Sequence, residues 1–152
     1  MKRKALIFII ISVFTACMTR GGMNSQAASP DGKIPGLERT LERVRIAFET
    51  RPSCRDLFTR YQGDPRKTLE HAQFVYVGDE LKPMGFAAAT VPGANETFIG
   101  TEVYEHLSDI DGVATLLIHE LLHQQGAGSE IDSYLENYEL ISRSCGTKNS
   151  AK

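Results

Sequence analysis

Leu37, Leu41, Val44 and Phe48 fall at spacings of four, three and four, and charged residues fill most positions between them. That period belongs to a helix and predicts an amphipathic one over 35–51, with Pro35 near its start. Residues 52–63 predict a second short helix that ends by Gly63. Asp64 followed by Pro65 predicts the cap and first turn of a third, over 64–72. The pattern then changes. QFVYVGDE, 73–80, is β-branched and aromatic, is bounded by Gly78, and predicts a strand. Residues 84–104 predict two extended segments around a Pro92-Gly93 turn. Helical spacing returns over 108–126, with Asp109 or Asp111 as N-cap and Gly126 as a left-handed end. A last helix is expected over 129–146, capped by Ser129 and closed by Gly146. Helices, then strands, then two helices predict an α+β domain with a short, mostly antiparallel sheet.

The first residues do not fit this domain. MKRKALIFIIISVFTAC has a basic start and an apolar stretch from Ala5 to Phe14. The stretch is too short to span a bilayer and suits a secretory signal. Phe14-Thr15-Ala16-Cys17 resembles a bacterial lipobox, which would make Cys17 an acylated membrane anchor. A site of A-x-A type near Ser25-Gln26-Ala27 is the rival cleavage point. The expected organisation is a signal peptide over 1–17, a flexible tether over 18–34, one domain over 35–147 and a disordered tail over 148–152. The protein is then exported to the bacterial cell envelope, lipid-anchored or free. With Cys17 acylated or removed, Cys54 and Cys145 remain, and in an oxidising compartment an even pair predicts one disulfide. The 152 residues carry 17 basic and 19 acidic side chains, so nothing points to nucleic acid. A monomer is expected.

The chemistry lies in LLIHELLHQQGAGSE, residues 116–130. His119 and His123 stand at i and i+4, so both imidazoles share one helix face and reach one metal ion. Glu120 sits about 100° round the helix from His119, beside the ion and not between its ligands. A zinc ion lowers the pKa of a water to about 7 and polarises a carbonyl, and a neighbouring carboxylate takes and returns the proton. H-E-x-x-H on a helix is the pattern for that division of labour. Leu116, Leu117, Leu121 and Leu122 make the helix largely buried. Two histidines there need partners, and one metal satisfies both.

IHELLHQQGAG followed by a glutamate-bearing helix resembles the zincin metallopeptidases, and among them a gluzincin-like minimal core, over residues 95–146 or so. The resemblance implies His119 and His123 as zinc ligands and Glu120 as general base. It also implies a strand before the metal helix that pairs with an extended peptide or protein substrate, and 96–104 is placed to be that strand. The third ligand is expected on the following helix, from Glu130, Asp132, Glu136 or Glu139. Asp132 has a capping role with Ser129, and Glu130 suits the helix dipole. Short secreted zincin-like proteins place a Glu nine residues before a Cys-Gly end, which selects Glu136 here. Tyr104, Tyr134 or Tyr138 is available as an oxyanion donor, and Asp132 as an acceptor behind a histidine. His71 and His106 are expected on the surface, away from the metal. The resemblance therefore implies an exported zinc peptidase. A catalytically silent zincin-fold binding lipoprotein is the alternative, and a structural helix without metal is the third reading.

Overall fold

The structure is a computed structural model and describes residues 34–128 and 134–147, in the second stretch with side chains from 137 onward. The expected leader 1–17 with Cys17, the tether up to 33, the residues Ser129, Glu130 and Asp132, and the tail 148–152 lie outside the described residues.

The apolar stripe forms α1 (Leu37–Thr50), which buries Leu37, Val44, Ala47 and Phe48. Two short helices follow, α2 (Pro52–Thr59) and α3 (Pro65–His71). Asp64 caps α3 by accepting from the backbone N–H groups of Arg66 and Lys67, at 3.0 and 3.4 Å. Next come β1 (Gln73–Gly78), a 3₁₀ turn over Asp79–Met84, β2 (Ala88–Thr90) and β3 (Glu96–Gly100). The chain ends in α4 (Thr101–Glu105), α5 (Ile110–Gln124) and α6 (Tyr134–Cys145). The domain is α+β, as the alternation of patterns predicts.

The sheet order is β1-β3-β2. β3 runs parallel to β1 and antiparallel to β2, so the sheet is mixed and its longer ladder is parallel, not mostly antiparallel. The seventeen residues from 79 to 95 supply the crossover that a parallel pair needs. Two consequences correct the sequence reading. β3 is central, with a strand on either side, so 96–100 has no edge left for a substrate. Residues 101–105 are helical, which shortens the expected strand further. β1 ends at Gly78, the boundary expected for it, and the 3₁₀ turn follows directly. Gly78 breaks the β1 register with a φ of 60°.

α5 lies at the centre, packed on α1, α6 and β2. Asp109 caps it by accepting from Gly112 N–H at 3.0 Å. Val113, Ala114, Leu117, Ile118, Leu121 and Leu122 bury most of its circumference in the main core. The other sheet face carries a small cluster of Val77, Leu81 and Phe98. Cys54 and Cys145 form a disulfide that joins the first turn of α2 to the last of α6. Beside it, Ser53 Oγ donates to the Ser144 carbonyl at 2.6 Å, and the Arg43 guanidinium donates to the Gly146 carbonyl. Among the described residues no helix is long and apolar enough to cross a membrane.

Candidate metal centre

α5 carries both histidines in its last two turns. Their Nε2 atoms face each other at 3.1 Å, with ring planes inclined by 81°. A tetrahedral ion with Zn–N bonds of about 2.05 Å separates two nitrogen ligands by about 3.3 Å. The pair therefore fits two corners of one coordination sphere. His119 is half-buried and His123 is 7% exposed, so the pair sits at a rim with one ring deeper than the other. Glu120, between them in sequence, is 4% exposed.

The end of α5 is braced by its neighbours. His123 Nδ1 lies 2.8 Å from the Ala127 carbonyl. The His123 carbonyl accepts from Gly93 N–H and Gly126 N–H, both at 2.9 Å. Gln124 is buried, and its Nε2 donates to the Asn95 carbonyl at 3.2 Å and to Thr97 Oγ1 at 3.0 Å. The turn between β2 and β3 is thus bonded to the residues beside the second histidine. None of these contacts has a sequence signature beyond Gly126, because three of the four acceptors are backbone carbonyls.

The remaining candidates separate. Tyr138 donates its hydroxyl to the Gly112 carbonyl at 2.7 Å, so it anchors α6 to the first turn of α5 and is committed there. Tyr104 is exposed and packs against Tyr76 with ring centroids 6.0 Å apart. His71 and His106 are exposed, each with Nδ1 at 2.7 Å from the carbonyl four residues earlier. Both are on the surface, as expected. Glu139 is exposed. Glu136 lies in the first turn of α6, and its side chain is outside the described residues, as are Glu130, Asp132 and the Tyr134 ring. Among the described residues no group of three His, Cys, Asp or Glu side chains gathers. Comparison with family models, curated proteins and solved structures gave no match.

Proposed function

We propose that this chain is an exported zinc metallopeptidase of the zincin type. The observation that carries the reading is the 3.1 Å convergence of His119 Nε2 and His123 Nε2 on a helix that also holds Glu120. Zinc, when bound, would acidify the attacking water and polarise the scissile carbonyl. His119 and His123 would hold the ion. Glu120 would take the proton from the attacking water and deliver it to the departing amine nitrogen. The third ligand in this reading is Glu136, with Glu130, Asp132 and Glu139 behind it. Ala127 stands beside His123 and Tyr138 beside Gly112, and the first three of these carboxylates fall between those two anchors in sequence.

The substrate is an extended peptide segment, and the edge that would receive it moves from β3 to β2. Gly100 N–H donates to the Ala87 carbonyl at 2.8 Å, which sets the alternation along this antiparallel pair. By that alternation Ala88 and Thr90 turn their backbone groups to the free edge. β2 packs against α5, and the turn that follows it reaches His123 through Gly93. Phe86 and Val91, 53% and 40% exposed, flank the edge and would receive apolar side chains. Main-chain pairing of this kind gives affinity, and the flanking side chains give preference.

The test is Glu120→Gln in the mature protein. It is expected to retain zinc at wild-type stoichiometry and to lose peptide hydrolysis by about 10²–10⁴-fold. Wild-type protein purified without zinc, and unable to take it up, would remove the reading. Full turnover in Glu120→Gln would remove the general-base role.

A further inference from the structure

Two N–H groups follow α5 and turn back onto it. Gly126 N–H donates to the His123 carbonyl, and Ala127 N–H donates to the Leu122 carbonyl at 3.2 Å. This pair of bonds closes a helix when the residue after its end is left-handed. Gly126 is that residue, with a φ of 89°. The reversal brings the Ala127 carbonyl over the last turn, onto His123 Nδ1.

A carbonyl oxygen only accepts, so a hydrogen bond at that position requires the proton on Nδ1. In a neutral imidazole the other nitrogen then carries a lone pair. That nitrogen, Nε2, is the one facing His119. We infer that Gly126 is a positioning residue: its left-handed turn places the Ala127 carbonyl so that His123 is held in the Nδ1–H form with its Nε2 lone pair directed at the candidate metal position. In the metal-free protein the same geometry assigns the complementary form to His119. Its Nε2 carries a proton and donates to His123 Nε2; when an ion takes that place, Nε2 releases the proton to solvent and Nδ1 takes one up, so the ring stays neutral.

The glycine can be tested for conformation alone. A Cβ at position 126 would meet nothing within 4 Å among the described residues, so the cost of a Cβ there is conformational. Asparagine tolerates a left-handed backbone and valine does not. The two substitutions therefore separate the turn from the loss of glycine itself.

The inference rests on the zinc reading only for its second arm, so the first is made on metal-free, ¹⁵N-labelled protein. Long-range ¹H–¹⁵N correlation at alkaline pH is expected to show His123 protonated at Nδ1 and His119 at Nε2. A proton on His123 Nε2 overturns the inference, whether or not the protein binds zinc. The second arm measures zinc affinity by chelator competition. Gly126→Val is expected to lose the Nδ1–H signal of His123 and to bind zinc about 10–100-fold more weakly, the usual effect of losing the partner behind a ligating histidine. Gly126→Asn is expected to keep the signal and to stay within about threefold of wild type. Wild-type tautomer and affinity in a folded Gly126→Val would also overturn it. The wild-type spectrum decides the matter even where the valine variant does not fold.

Discussion

Replacing Cys54 and Cys145 together by alanine tests how far the disulfide supports the domain. The bond joins residues 91 apart, and both cysteines have no solvent exposure. Loop-closure entropy for a ring of that length is worth about 4.5 kcal/mol in the chain-entropy account. Alanine avoids leaving hydroxyls in a site that offers them no water, and that error would add about 1–3 kcal/mol for each serine. A folded domain of roughly 110 residues has an unfolding entropy of about 230 cal/mol/K, so the loss converts to a fall of about 20 °C in Tm. The two single alanine variants remove the same covalent bond and are expected to match each other, since a leftover buried thiol packs as a small apolar group. Urea unfolding followed by circular dichroism gives the free energy directly. The slope m is expected to rise, because an unfolded chain without the cross-link exposes more surface. A double variant melting within about 5 °C of wild type would refute the entropic argument. Zinc affinity is expected to fall in the same variants, because α6 carries Glu136 and the bond fixes its last turn. Unchanged zinc binding would detach the disulfide from the metal site.

Gln124→Leu is expected to lower stability by about 1–2 kcal/mol, measured by urea titration, because it removes two hydrogen bonds. The loss stays modest because the Asn95 carbonyl keeps Gln73 N–H at 2.8 Å and Thr97 Oγ1 keeps Thr90 Oγ1 at 2.7 Å. Phe86→Asp is expected to raise KM for peptide substrates with little change in kcat, and an unaltered KM would take the substrate away from the β2 edge. His119→Ala and His123→Ala should each abolish stoichiometric zinc in elemental analysis of the purified protein. Cys17→Ser is expected to move the protein out of the membrane fraction, and unchanged partitioning would argue against acylation at that residue.

Much of the fold is written locally. The stripe Leu37–Leu41–Val44–Phe48, the Asp64-Pro65 start and the Asp109 cap each follow from side-chain chemistry within a few residues, and each is where its pattern places it. Strand order is not local. Nothing in ETFIG shows that β3 takes partners on both sides, because pairing depends on where β1 and β2 arrive. TEVYE has a strand's composition yet forms α4. β3 stops at Gly100, where a Cβ would come within 2.9 Å of the Ala87 carbonyl. The candidate site divides the same way. Helical spacing alone brings His119 and His123 together. The acceptor behind His123 is a main-chain oxygen, which no residue type announces, and among the acidic residues after Gly128 only a resemblance, not local chemistry, selects Glu136.

The corner where Cys145 meets Cys54 also makes the fold dependent on residues 144–146. Arg43, Ser53 and Cys54 stand near the start of the domain, and their partners are Gly146, Ser144 and Cys145. A chain cut short before residue 144 lacks all three at once, while α1 and α2 remain intact in sequence. Its Cys54 stays a free thiol, open to mixed disulfides and to capture by an oxidoreductase. Closure of this one bond therefore marks a polypeptide that extends through Cys145. A thiol-reactive label would sort molecules that reach Cys145 from those that stop short of it, without any assay of activity.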